Sequence, residues 1–329
     1  MRTIVSTMPF SSADRERIRS MLPPDCQICF LEPATEREEY RKALTNAEVL
    51  LGDPTLDDLA LCSHLRLLQT TWAGVDGYVA NWPLSRNVTL CNMSGAYGPI
   101  ISEYILGMIF ALCTRLPFYT KQMEHRVWHL EGMCKSLEYA NVLILGAGDI
   151  GSQVAKRLRP SVKTIIGLRR TPREIPAEFD RMITMEDLDA ALEEADVVVC
   201  SLPLTAETYH LLDFNRLKKM KRDAILVNVG RGGLIASDDL AELMKQGWFF
   251  GVGLDVTEPE PLPKEDPLWN QERVLITPHI SGNAFDFESP TGRRILEISM
   301  DNLYRYLHGQ SLVNVVDFDK GYRASGEAR

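Results

Sequence analysis

Nowhere does the sequence hold an apolar run long enough to cross a bilayer as a helix, a span that takes about 20 predominantly apolar residues. Its longest candidate, YILGMIFALC, falls short of that and lies in mid-chain. Nor is there a surplus of basic charge. The formal net charge is -9, which argues against a general nucleic-acid binder, because such proteins are usually basic. Any anion site in this chain must therefore be local. Seven cysteines, an odd number without a framework, set up no disulfide pattern. Cys26 and Cys29 form a C-x-x-C, yet CQICFLE reads as a strand, where residues three apart point to opposite faces. No second pair completes a zinc site, so these read as reduced core cysteines and no metal is expected. Internal repeats of solenoid length and low-complexity tracts are also missing. The opening MRTIVSTMPF reads as a strand and a break without a signal-peptide cleavage pattern, so the chain is expected to be cytosolic.

What is present is length and alternation. A chain of 329 residues supports a large core and is expected to form two domains rather than one. Apolar strands alternate with polar helical segments through the first hundred residues: TIVSTM, then SSADRERIRSML with Ser11 or Ser12 as N-cap, then CQICFLE, EREEYRKALTNA, EVLLGD, TLDDLALCS, LRLLQTT and VTLCNM. Strands alternating with helices imply βαβ units and parallel sheets. One long helix is expected from about Gly98 through ISEYILGMIFALCTRLPFYTKQM, apolar on most sides and so buried between domains or subunits. A second α/β series follows, with strands in NVLILG, TIIGLR, VVVCSLP, AILVNVG, FFGVGLDV and RVLITPHI, and a last helix in RRILEISMDNLYRYLHG.

NVLILGAGDIGSQVAKRL places Gly146, Gly148 and Gly151 in G-x-G-x-x-G spacing, between an apolar strand and an amphipathic helix. That setting is what a dinucleotide turn requires. The first glycine permits the tight turn, the second a close backbone approach to pyrophosphate, and the third close packing of helix on strand. The helix start offers N–H groups and the positive end of its dipole to phosphates. An NAD site would carry a carboxylate at the tip of the next strand, to accept hydrogen bonds from the ribose hydroxyls. Here the strand ends at Leu168 and Arg169 and Arg170 follow. Arginine accepts no hydrogen bond but binds phosphate bidentately, which points to NADP and its 2′-phosphate. The alternative is a solvated basic loop.

Three later stretches, VNVGRGGLI, GVGLDVTEPEPLP and ITPHISGN, each put polar residues just after an expected strand. Ligands bind outside the carboxyl ends of strands in open parallel sheets, so Arg231, Asp255, Glu260 and His279 are expected to converge on the cofactor crevice.

The ordered set from LILGAGDIG through SLPLTAET, LVNVGRGGLI and GLDVTEPEPLP to TPHISG resembles the D-isomer-specific 2-hydroxyacid dehydrogenases. TTWAGVDGY resembles that family's substrate loop, with Trp72 larger than its usual residue, and NVVDFDKGY is similar to the tail of its glyoxylate and hydroxypyruvate reductases. The resemblance implies an α/β fold of two Rossmann-like parallel-sheet domains with the active site in the cleft between them. The substrate domain would be residues 1–102 plus 282–329, and the dinucleotide domain 103–281. It implies that Arg231 grips the substrate carboxylate and polarises its keto oxygen, that His279 is the general acid/base, and that Glu260 is the carboxylate whose charge favours the imidazolium. Ala73, Gly74 and Val75 would offer backbone N–H groups to the substrate carboxylate. The expected cofactor contacts are Gly146, Gly148, Asp149, Ile150, Gly151, Arg169, Arg170, Val229 and Asp255, the last holding the nicotinamide carboxamide. Glu258 stands two residues from Glu260, and the flanking PEPLP selects Glu260. His64, His125, His129, His210 and His308 read as structural.

The function so implied is an NADP-dependent reductase of small 2-keto acids such as glyoxylate or hydroxypyruvate, with NAD as a possible cofactor. Its product would be the D-2-hydroxy acid. The family dimerises through the apolar helix after Gly98, which implies a homodimer, and neither nucleic acid nor membrane is an expected partner. A formate dehydrogenase of this fold would want glutamine in place of Glu260. A dinucleotide-sensing corepressor of the same superfamily would keep the triad, but such proteins tend to carry partner-binding extensions, and the short polar tail RASGEAR offers none.

Overall fold

The structure, a computed structural model, describes residues 1–171, 174–283 and 288–323. The tail beyond Arg323 therefore lies outside the described residues. By contact the chain divides into two units, Met1–Tyr97 with Ala284–Arg329, and Gly98–Asn283.

The first unit is built on β1 (Arg2–Ser6), β2 (Cys26–Phe30), β3 (Ala47–Leu51), β4 (Leu67–Gln69) and β5 (Thr89–Cys91). Between them run α1 (Ser12–Met21), α2 (Arg37–Leu44), α3 (Leu56–Leu59) and α4 (Asp76–Ala80). All pairs are parallel, in the order β2-β1-β3-β4-β5. This is one of the two common doubly wound orders. The N-cap of α1 is Ser11, whose Oγ accepts the Asp14 N–H at 3.1 Å.

The second unit opens with α5 (Gly98–Cys113) and α6 (Leu116–Glu124), then β6 (Asn141–Leu145), α7 (Asp149–Leu158), β7 (Thr164–Leu168), β8 (Arg181–Ile183) and α8 (Leu188–Glu194). It continues with β9 (Val197–Cys200), α9 (Phe214–Lys219), β10 (Ile225–Asn228), α10 (Ser237–Lys245), β11 (Gly251–Leu254) and β12 (Val274–Ile276). Its seven strands are all parallel, in the order β12-β11-β10-β9-β6-β7-β8. The strand order reverses between β6 and β9, which gives the dinucleotide-binding arrangement with one further strand. Residues of β9, β10 and β11 are buried along their whole length, as expected of strands covered by helices on both faces. Helix α5 lies close against β11 because Gly251 and Gly253 leave room: a Cβ there would come within 3.0 Å of Leu112 and 3.1 Å of Met108.

The chain then completes the first unit with α11 (Pro290–Leu307), capped by Ser289, and the antiparallel pair β13 (Val316–Asp317) and β14 (Tyr322–Arg323). Buried Asn302 on α11 donates to Gln69 Oε1 at 2.6 Å and to the Val313 carbonyl at 2.9 Å, tying the return segment to β4.

The single long helix expected after Gly98 is two helices bent by 68°. Arg115 takes a left-handed φ of 58°, and Pro117 lies in the first turn of α6. Proline has no N–H for the carbonyl four residues back. That carbonyl, of Cys113, instead accepts the Lys135 N–H at 2.9 Å. One face of α5 is buried on α7, β10 and β11, so it belongs to this unit rather than standing apolar all round. Among the described residues no single helix is long and apolar enough to cross a membrane. Short β8, α4 and the β13–β14 pair were not expected. None reads as a buried apolar run: β8 opens on exposed Arg181, α4 buries none of its residues, and β13 and β14 have two residues each.

Candidate active site and dinucleotide turn

The turn after β6 has the shape its glycines predict. Gly146 takes a φ of +107°, which side chains rarely adopt, and a Cβ there would meet Ser201 backbone at 2.9 Å. A Cβ on Gly151 would lie 2.1 Å from the Gly146 carbonyl, so only glycine lets α7 begin this close to the strand. Gly148 faces open space, with nothing within 4 Å of an added Cβ. An open, side-chain-free approach at the start of a ten-residue helix suits a pyrophosphate, and these residues fit a dinucleotide. Asp149 contributes differently. Its Oδ2 accepts the Gly98 N–H at 3.1 Å, so its carboxylate is turned to the first residue of α5. Ile150 is half-buried, and Val229 is buried with its N–H on the Cys200 carbonyl at 3.1 Å.

Arg169 stands at the tip of β7. Its Nε donates to the Ala147 carbonyl at 2.6 Å, which places its guanidinium beside the glycine turn. Arg170 follows it and is exposed.

Two turns beyond β10 and β11 carry the expected residues. After β10, Asn228 holds the backbone around Arg231, donating to the Arg231 carbonyl at 2.8 Å and accepting the Gly230 N–H at 3.0 Å. The guanidinium reaches back to the Gly230 carbonyl at 2.7 Å. After β11, Glu260 Oε1 accepts the Thr257 N–H at 3.1 Å while Oε2 meets His279 Nδ1 at 3.0 Å. Both side chains stay partly open, His279 at 50% and Glu260 at 40% of full exposure. The neighbouring carboxylate goes elsewhere: Glu258 Oε2 pairs with His210 Nε2 at 2.7 Å. The geometry thus separates two glutamates that lie only two positions apart in the chain.

Asp255, 1% exposed, organises the histidine turn. Its oxygens accept Thr277 Oγ1 at 2.7 Å, the Ile280 N–H at 2.8 Å and the Ser281 N–H at 2.9 Å. The His279 N–H donates to the Asp255 carbonyl at 2.8 Å. These bonds hold His279 at a φ of 53°, a left-handed backbone uncommon outside glycine. Tyr104 on α5 is influenced by Thr277 and Asp255 of the same cluster, and burial pushes its phenol above the ordinary range. Tyr104 and His210 were not among the expected site residues, because nothing local in the chain marks a partner so distant in sequence.

In the first unit the expected substrate loop is held by its oxygens. The Thr71 carbonyl accepts Tyr97 Oη at 2.8 Å, the Trp72 carbonyl the Met93 N–H at 2.9 Å, and the Ala73 carbonyl Asn92 Nδ2 at 2.8 Å. Asp53 accepts both the Thr71 N–H and its hydroxyl, and burial raises the Asp53 carboxyl above the usual range. The Val75 carbonyl accepts the N–H groups of Tyr78 and Val79, each at 3.0 Å. Gly74 is exposed and Val75 buried.

Strand order, glycine turn and the imidazole–carboxylate pair together define a dinucleotide-binding oxidoreductase of Rossmann type. Comparison with known proteins narrows this. The model of the D-isomer specific 2-hydroxyacid dehydrogenase NAD-binding domain matches residues 106–281. The glyoxylate reductase of Korarchaeum cryptofilum is 31% identical over 82% of this chain and 81% of its own length. Glyoxylate/hydroxypyruvate reductase B of Serratia proteamaculans is 29% identical over 85% of this chain and 87% of its own. A solved structure of a D-isomer specific 2-hydroxyacid dehydrogenase family protein from Aeromonas salmonicida superposes with a TM-score of 0.82 at 33% identity, covering 97% of this chain and 99% of that one. The chain belongs to the D-isomer specific 2-hydroxyacid dehydrogenase family, and its cofactor is a nicotinamide dinucleotide.

Proposed function

We propose that this protein is an NADPH-dependent reductase that converts a small 2-keto acid, glyoxylate or hydroxypyruvate, to the D-2-hydroxy acid. The observation that carries the reading is the 3.0 Å contact between His279 Nδ1 and Glu260 Oε2. It engages one imidazole nitrogen with a carboxylate and leaves Nε2 to hold a proton for the substrate oxygen. Reduced nicotinamide, when bound, supplies the hydride. Negative charge then builds on the substrate oxygen, where the Arg231 guanidinium stabilises it and His279 Nε2 delivers its proton. Arg231 also grips the substrate carboxylate with a planar fork that lysine lacks. The N–H groups of Ala73, Gly74 and Val75 are assigned to the same carboxylate. In this reading Gly98–Asn283 is the dinucleotide unit, and Met1–Tyr97 with Ala284–Arg329 the substrate unit.

Gly146, Gly148, Gly151 and the first residues of α7, Asp149 and Ile150, line the pyrophosphate by backbone, with Val229 and Asp255 on the nicotinamide side. Arg169 and Arg170 meet the 2′-phosphate. The small acids follow from the reductases to which the chain is similar, and the cofactor preference from the arginines.

Dissociation constants of NADPH and NADH for the parent, Arg169→Asp and Arg170→Ala test the cofactor assignment. A charged hydrogen bond is worth about 1.5–3 kcal/mol, or roughly tenfold to a hundredfold in affinity. The parent is expected to favour NADPH by at least the lower factor, less so as salt rises. Arg169→Asp is expected to reverse the preference, since it repels phosphate and accepts ribose hydroxyls. Arg170→Ala should weaken NADPH alone. Equal parental affinity for both cofactors would leave the arginines as a solvated loop.

A further inference from the structure

Two imidazole–carboxylate pairs lie among the turns that carry Arg231 and Glu260, and the reaction uses only one. The other, His210 with Glu258 at 2.7 Å, is about two-thirds covered on both sides. His210 comes from the segment after β9 and is itself firmly held. Its N–H donates to the Gly233 carbonyl at 2.7 Å, and Tyr209 stacks on its ring at 4.0 Å and 17°. Its backbone, like that of His279, is left-handed, at a φ of 47°.

Glu258 belongs to the turn that presents Glu260. That turn lies hard against the one that presents Arg231. A Cβ on Gly232 would fall 1.9 Å from the Thr257 carbonyl, and one on Gly233 3.1 Å from Glu258 Oε1. Glycine there is what lets the two turns nest. Two neighbours of the Arg231 turn hold the Glu258 turn by side-chain bonds: Ser237 Oγ to the Glu258 carbonyl at 3.2 Å, and His210, whose N–H is on the Gly233 carbonyl, to the Glu258 carboxylate. Of these the second is short and charge-assisted when the imidazole is protonated, the stronger kind of hydrogen bond.

We propose that His210 and Glu258 are positioning residues for the reduction: their pair clamps the Thr257–Glu260 turn onto the Arg231–Leu234 turn and so sets where Glu260 holds His279. The inference rests on the reading of Glu260 and His279 given above.

The test is a mutant cycle on the full chain, assayed for glyoxylate reduction at saturating NADPH, with NADPH affinity and melting temperature measured alongside. Misplacing a reacting group by about 1 Å can cost roughly 10²-fold; with the Ser237 bond retained, His210→Ala is expected to lower kcat by about tenfold. NADPH affinity should be unchanged. His210→Gln, which keeps an N–H for Glu258, should recover most of the loss. In a Glu260→Gln background His210→Ala should cost nothing further, because the group it positions is already disabled. Losses that multiply in the double variant would overturn the proposal, as would a parental kcat in His210→Ala. Should His210→Ala not fold, Glu258→Ala, which removes the partner of His210, enters the same cycle with the same expectations. Full activity in Glu260→Gln alone would instead overturn the reading of Glu260, whichever way His210 behaves.

Discussion

At the scale of single residues, the assignment of roles turns on where each charged group spends its bonds. Glu258 and Glu260 are chemically identical, yet one meets His210 and the other His279. His279 is half-exposed, whereas the buried Asp255 carboxylate is engaged by three donors of the histidine turn. If His279 is the proton donor, His279→Ala should lower kcat by about 10² to 10⁴-fold while the NADPH dissociation constant stays as it was. A fully active variant would end that assignment. Arg231→Lys keeps the charge but loses the planar fork, so 2-keto acid turnover should fall sharply. Steady-state kinetics on glyoxylate check this, and an unchanged kcat and KM would remove the carboxylate-clamp role.

At the scale of elements, the expected substrate loop is anchored by an acid. Asp53 anchors Thr71 through both oxygens, and desolvation raises its carboxyl above the ordinary aspartate range. A raised value means that the folded chain binds the proton more tightly than the unfolded chain. Stability from this group is therefore complete below the usual aspartate range. It declines as pH climbs through that range to the raised value, and changes no more above it. Asp53→Asn keeps the hydrogen-bonding shape without the charge. Its melting temperature relative to the parent is expected to rise across that acidic window and then level off. A difference that stays flat with pH would mean that Asp53 is not desolvated.

The strands at this scale were legible because each is a short apolar run bounded by turn residues. The glycine turn was legible because spacing, strand and helix agree. The break between α5 and α6 was not. Its local signal, Pro117, lies inside a run whose apolar period continues across it, and the alternative partner for the Cys113 carbonyl is Lys135, far along the chain.

At the scale of the molecule, the segment from α5 to the start of β6 carries several exposed apolar side chains. Trp128 is fully exposed, and Met123, Leu130, Met133 and Tyr139 are each more than 70% exposed. Apolar residues gathered like this mark an association surface. We propose that a second copy covers them, in keeping with the expected homodimer. Sedimentation of the parent should give twice the chain mass, and a variant with Trp128, Leu130 and Met133 replaced by serine should sediment as a monomer. A monomeric parent would remove the dimer.

What the sequence determined by itself was the set of local instructions. Alternating strand and helix patterns specify parallel α/β units, and three glycines at fixed spacing specify a turn open to phosphate. Each is written within one stretch of chain, because backbone freedom and hydrophobic period act over a few residues. Only the tertiary structure decided which imidazole takes which glutamate, that Asp255 holds the histidine turn, and that His210 ties the turn bearing Glu260. These partners lie 19, 25 and 48 positions apart in the sequence. They meet because β9, β10, β11 and β12 are successive neighbours in the sheet and deliver their following turns side by side, and no local pattern encodes that adjacency.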